Sequence, residues 1–284
     1  MTSFSDSSYG SKAYADFRPS YPSKLYTVLL DYHQGAKTFA IDQGCGPGTA
    51  ALPLAAYFTK VIGTDPSAGM IEQATKAAAA KHFTNVQFMK SPAEEIPFAA
   101  NGSVDFISAS QAAHWFDHDK WFNETARVLR PGGTLTFFGY LDHTYKNSPI
   151  ANEIIQEFSY GKNYLGPYWE PGRYILRNLY RDIHPPTSLF RDIERQLYIP
   201  GQTDEAFQMV AKTMTLAASE EYVRTWSSFH NWCKEHPGEI ARRHNGEGDI
   251  VDRLFDRLRG STGWTDKTVL EIEWSSVIAL CRRR

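Results

Sequence analysis

Between Phe39 and Tyr140 the chain alternates short apolar runs with longer amphipathic ones. Phe39–Asp42, Val61–Asp65, Val86–Lys90, Val104–Ser110 and Thr134–Tyr140 are compact, rich in Val, Ile and Phe, and bounded by glycine, proline or polar turns. That pattern predicts buried strands. Thr49–Phe58, Ala68–Lys81 and Asp119–Leu129 read as the helices between them, the second alanine-rich and the third stopped by Arg130-Pro131-Gly132-Gly133. A further helix over Ser23–Tyr32 precedes the first strand, with Ser23 as its expected N-cap and Leu25, Val28 and Leu29 as its apolar face. Strands and helices in strict alternation predict a parallel, doubly wound sheet.

The alternation stops after Tyr140. Tyr160–Arg173 reads as a turn-rich aromatic loop, and Phe190–Ile199 as a sixth strand with Ile193, Leu197 and Ile199 on one face. Thr203–Met214 and Ser219–Lys234 are predicted helical. In the latter, Tyr222, Trp226, Phe229 and Cys233 recur at helical spacing as a packed stripe, which puts Arg224 on the opposite face. Thr268–Cys281 is a long strand-like end with Leu270, Ile272 and Trp274 on one face.

Composition narrows the picture. With 284 residues and a net charge of −2, nothing marks a bulk nucleic-acid binder, and Arg282-Arg283-Arg284 is expected to be a solvated tail. The polar stretch Met1–Lys12 has no signal-peptide core, and no run is long enough to span a bilayer. Cys45, Cys233 and Cys281 lack metal-ligand spacing, so no metal site is expected, and they fit a reducing, cytoplasmic compartment. Cys45 reads as a small residue in a tight turn rather than a nucleophile.

The candidate chemistry begins at the first strand's end, Asp42-Gln43-Gly44-Cys45-Gly46-Pro47-Gly48-Thr49. A strand, a glycine turn and a helix start together receive ligands, because glycine lets them approach backbone N–H groups closely. The third glycine falls at Gly48, one residue early for the dinucleotide fingerprint, which disfavours an NAD-linked oxidoreductase. Asp65 ends the second strand 17 residues after Gly48, near the roughly 20 expected of a ribose-binding acid. His114 and Trp115 lie just past the fourth strand, where open α/β sheets place chemistry. Tyr14 and Arg18 read either as surface packing or as a lid over a cofactor carboxylate.

The Asp42-x-Gly44-x-Gly46-x-Gly48 pattern resembles the first motif of the class I S-adenosylmethionine-dependent methyltransferases. Ser91-Pro92-Ala93-Glu94-Glu95-Ile96-Pro97-Phe98 resembles their adenine loop, except that Pro92 stands where an acid is usual. Ala93 keeps a backbone N–H for the ring, and the side-chain contact is either lost or taken over by Ser91 or Glu94. Across most of its length the chain is similar to the fungal trans-aconitate methyltransferases. The matching stretches are Tyr14…Arg18-Pro-Ser-Tyr21-Pro, Ala113-His-Trp-Phe-Asp117, Gly166-Pro-Tyr168-Trp169-Glu170 with Arg173, and Tyr222-Val-Arg224-Thr-Trp226.

The resemblance implies an α/β, Rossmann-like doubly wound sheet, mostly parallel with an antiparallel strand at the C-terminal end, plus a helical and aromatic cap insertion. One domain is expected: a lid (1–35), a cofactor core (36–145), a cap (146–187 and 200–267) and completing strands (188–199 and 268–282). The cofactor would be S-adenosylmethionine, leaving as S-adenosylhomocysteine, held by Tyr14, Arg18, Asp42, Gly44, Gly46, Gly48, Asp65, Ala93, Glu94 and Gln111. His114 and Trp115 would be catalytic, and Tyr21, Tyr168, Trp169, Arg173, Arg224 and Trp226 would meet a small-molecule acid. The implied reaction is O-methylation of a carboxylate by a monomer or homodimer, with neither nucleic acid nor membrane as partner. A secondary-metabolite O-methyltransferase using His114 as base, or a binding protein without turnover, are the alternatives.

Overall fold

The computed structural model describes Pro19 and residues 21–284. Among these, the elements run α1 (Ser23–Tyr32), β1 (Phe39–Gln43), α2 (Ala51–Leu54), β2 (Lys60–Asp65), α3 (Ala68–Ala80), β3 (Val86–Lys90), β4 (Val104–Ser110), α4 (His118–Val128) and β5 (Leu129–Tyr145). They continue α5 (Pro149–Tyr160), α6 (Gly172–Arg177), β6 (Phe190–Tyr198), β7 (Ala211–Thr215), α7 (Leu216–Arg224), α8 (Ser227–Glu235), α9 (Ile250–Thr262) and β8 (Val269–Arg283). The strands form one sheet in the order β3-β2-β1-β4-β5-β8-β6, with β7 also paired to β8. Strands β1 to β5 pair in parallel, whereas β6 and β7 run antiparallel to β8. The expected mixed α/β sheet is therefore present, and its order reverses beside β1, the switch point where such sheets bind ligands.

Contacts divide the chain into two compact units. The larger comprises 20–141, 174–210 and 275–284. Its core joins Ile41, Ile107 and Phe137 of the parallel strands to Trp121 and Phe122 of α4, Tyr180, and Val277 and Cys281 of β8, all buried. Burying one such large side chain is worth about 1.5–3 kcal/mol, so this cluster holds the sheet rigid beneath its ligand edge. The smaller unit includes 142–173 and 211–274. There Tyr145, Tyr222, Trp226 and Trp274 pack around His143, and Asp249 and Asp252 close a reciprocal capping box at the start of α9.

Several local expectations give way to packing. The N-cap of α1 is Pro22, not Ser23. The helix predicted over 49–58 narrows to α2, with looser turns through Phe58, since Pro53 removes a donor from its middle. The helix predicted over 203–214 is replaced by a short 3-10 turn at Glu205–Phe207 and by β7, whose residues pair with Val269–Glu273. The helix over 219–234 breaks at Thr225–Trp226, where Trp226 is extended (φ −75°, ψ 140°) and Thr225 Oγ1 donates back to the Tyr222 carbonyl. Ile193 is 42% exposed, because β6 slips register between Arg191 and Glu194 and Asp192 adopts φ +51°. The terminal arginines are not simply solvated: Arg282 lies over the Tyr32 ring at 4.1 Å and pairs with Asp192, and Arg284 Nε donates to the Thr187 carbonyl.

Candidate cofactor and active site

The glycine turn after β1 is built to leave room. Gly44, Gly46 and Gly48 all have positive φ, which side-chain-bearing residues adopt at a cost. A Cβ on Gly44 would lie 2.4 Å from that of Ala112, so this position is closed by packing. A Cβ on Gly46 would meet nothing within 4 Å, so this position borders open space.

Asp65 braces that open position from β2. Its Oδ2 accepts the Gly46 N–H at 3.0 Å and its Oδ1 accepts the Ser67 N–H at 2.8 Å. Ser67 then caps α3 through the Met70 N–H at 3.4 Å. Burial raises the pKa of Asp65, and the two backbone N–H groups pull it back down. Each carboxylate oxygen has a second lone pair, so two ligand hydroxyls can still be accepted.

Asp42 lies deeper. It is fully buried, receives the Ser108 hydroxyl at 2.6 Å on Oδ1, and leaves Oδ2 without a partner among the described residues. Burial pushes its pKa up to about 7, opposed by the Ser108 hydrogen bond and reinforced by Asp65. Between its ordinary value of 3.8 and about 7 the folded state therefore keeps a proton that the unfolded chain has lost. Stability falls as pH rises through that window and stays reduced above it, by on the order of 4 kcal/mol. The melting-temperature gap between Asp42→Asn and wild type should thus move in favour of the variant from about pH 5 to about pH 8. Parallel melting curves across that range would show that another group titrates.

The adenine-loop candidates divide. Ala93 is buried, its carbonyl accepts Gln43 Nε2 at 2.7 Å, and its N–H makes no hydrogen bond among the described residues. Glu94 instead accepts the Asp117 N–H at 2.8 Å, and Ser91 donates to the Glu95 carbonyl, so both polar side chains serve the loop. Gln111 (φ +52°) is turned onto the backbone of β5, with its amide bonded to both the carbonyl and the N–H of Tyr140. His114 is buried, shares a 2.9 Å hydrogen bond with the Tyr180 hydroxyl through Nδ1, and lies against Trp115 at 4.5 Å. Tyr21 packs edge-on to Phe138 at 5.1 Å. Tyr14 and Arg18 lie outside the described residues.

In the smaller unit, Arg173 stacks over Trp169 at 4.4 Å, and Trp169 neighbours Trp226 at 5.8 Å. Tyr168 accepts Asn231 Nδ2 at its carbonyl and sets its ring edge-on to His236. Arg173 donates to Asp142 through Nη2 and, at 3.3 Å, to the Tyr160 hydroxyl through Nε, while Nη1 makes no hydrogen bond among the described residues. Burial alone would lower its pKa, and Asp142 together with Tyr160 and Tyr222 outweighs that, so the guanidinium stays charged. Arg224 stands apart from this group. Only 3% of its side chain is exposed, and it bridges Asp249 (2.5 Å), Glu220 (2.9 Å) and Asp252 (3.0 Å). Asp142, Tyr160 and Tyr180 were not legible as partners, because each meets its arginine or histidine across 13 to 66 residues of chain.

These arrangements match known proteins. A family model described as a methyltransferase domain matches residues 41–137. A Saccharomyces cerevisiae protein provisionally named an S-adenosylmethionine-dependent methyltransferase is 29% identical over all of this chain and 99% of its own length. A Dictyostelium discoideum protein provisionally named a methyltransferase is 33% identical over 92% of this chain and 88% of its own. This chain belongs to the class I S-adenosylmethionine-dependent methyltransferases. A structure from Anaeromyxobacter dehalogenans, provisionally described as a type II methyltransferase, superposes with a TM-score of 0.72 at 26% identity, covering 94% of this chain and 98% of that one.

The cofactor of this methyltransferase is S-adenosylmethionine, and the site fits it: open space at Gly46, an acid with spare lone pairs at Asp65, and an Ala93 N–H that is unused among the described residues. Asp65→Ala should weaken cofactor binding by about 1.5–3 kcal/mol, the cost of removing a charged acceptor from two hydroxyls. It should also loosen the turn, since Gly46 and Ser67 lose their acceptor. Calorimetric titration checks this, and an unchanged dissociation constant in a folded variant would refute the ribose assignment.

Proposed function

We propose that this methyltransferase forms a methyl ester on a carboxylate of a small organic acid, the reaction class that the resemblance to the trans-aconitate methyltransferases implies. The observation behind this reading is Arg173. Its guanidinium is held flat on Trp169 and is 12% exposed, with one arm of N–H donors left unused among the described residues. A planar fork of this kind suits a carboxylate better than a point charge does. The bound cofactor supplies an electrophilic methyl group; a carboxylate oxygen takes it as the carbon–sulfur bond breaks, with the electron pair staying on sulfur.

An ionised carboxylate needs no base, so the protein's task is to hold the acceptor in line and keep water out. The reading is tested by incubating the enzyme with methyl-deuterated cofactor and a panel of acids and phenols. Products are followed by mass spectrometry before and after mild alkaline hydrolysis. Labelled methyl esters that revert to acid support it. Base-stable ethers on phenols alone would replace it with an O-methyltransferase in which His114 is the base.

A further inference from the structure

The smaller unit already contains the counter-ion for its candidate carboxylate receptor. Asp142 is 4% exposed and has both oxygens engaged, Oδ1 by Arg173 Nη2 and Oδ2 by the Tyr160 hydroxyl at 2.6 Å. The pair is charge-neutral, and its surroundings are aromatic: Tyr160 beside Trp169 at 6.1 Å, then Trp226. His143, next along β5, is buried among Tyr145, Tyr222, Trp226 and Trp274, with neither ring nitrogen hydrogen-bonded among the described residues. Burial lowers its pKa to about 4, so it adds no positive charge near neutral pH. Arg224, the other arginine predicted to receive an acid, is outnumbered three to one by Asp249, Glu220 and Asp252.

A tricarboxylate undergoing esterification at one group keeps two anionic groups that need cations. Here the arginine that would serve them has its charge cancelled within hydrogen-bonding distance, while the rings offer contact area and no charge. An acid with one carboxylate and an apolar body asks for the reverse. Its body covers aromatic surface, and its one anion needs only the hydrogen bonds of the unused arm. We infer that Asp142 is a specificity-determining residue: by neutralising Arg173, it tunes the enzyme toward small monocarboxylic acids with apolar bodies and against polycarboxylates. This rests on the carboxylate reading above.

The test measures kcat/KM for a hydrophobic monoacid, trans-cinnamate, and for trans-aconitate, in wild type and in Asp142→Asn. The amide keeps an acceptor for the Tyr160 hydroxyl but releases the charge of Arg173. Wild type should favour the monoacid. The ratio should swing toward the triacid in the variant by about tenfold or more, carried by KM rather than kcat and with cofactor affinity unchanged. A structural role alone would depress both acids equally. An unchanged ratio in a folded variant overturns the inference. If the variant does not fold, the wild-type ratio decides, and preference for trans-aconitate overturns it. Esters formed with the wrong preference defeat this inference alone, whereas no ester from any acid defeats the carboxylate reading with it.

Discussion

Gly46→Val is expected to abolish S-adenosylmethionine binding, with a loss on the order of a hundredfold or more in affinity. The position has φ +53° and open space where a side chain would project, so a branched side chain would fill the volume that a ligand uses to reach the backbone. Forcing an L residue into this conformation costs about 1–2 kcal/mol, which lowers the melting temperature by a few degrees in a protein of this size. The two effects separate cleanly: calorimetry reads the affinity and thermal denaturation reads the strain. Wild-type affinity in the folded variant would mean that the ligand does not approach the turn at Gly46.

Arg224→Met is expected to act on stability instead of on substrate. The guanidinium is the shared partner of three carboxylates, two of which form the capping box of α9. Burial disfavours its charge, and the hydrogen bonds it donates to the Asp249 and Glu220 carboxylates, together with their charges, more than restore it, so its pKa lies above the usual value. Removing it leaves Asp249 and Asp252 buried without the cation they share, at a cost of about 3–5 kcal/mol. The melting temperature should fall by on the order of 10 °C. KM for an acid acceptor, measured well below the transition, should stay near wild type. A variant that melts like wild type but binds its acceptor tenfold more weakly would return Arg224 to the ligand.

Both experiments turn on how far local pattern reaches. The parallel core and its ligand turn follow from interactions among near neighbours. Period-two and period-3.6 patterning sets β3 and β4 at their predicted bounds, and the glycine spacing with an acid on the next strand locates Gly46 and Asp65 before they are seen to share a 3.0 Å hydrogen bond. The same reasoning fails where a residue's partner is remote. Helical phase put Arg224 on the face opposite the aromatic stripe and gave no partner for it, yet it is buried because Asp249 and Asp252, more than 20 residues on, neutralise it. A helix expected near Lys212 becomes a strand because β8 offers an edge to pair with. Arg173 reads as a free cation until Asp142, 31 residues earlier, is found against it. Side-chain periodicity is written into the chain by backbone geometry, so it is legible wherever near neighbours decide the outcome. Charge pairing and edge pairing depend on what the folded chain brings within a few ångströms, where a buried ion's cost makes its partner decisive.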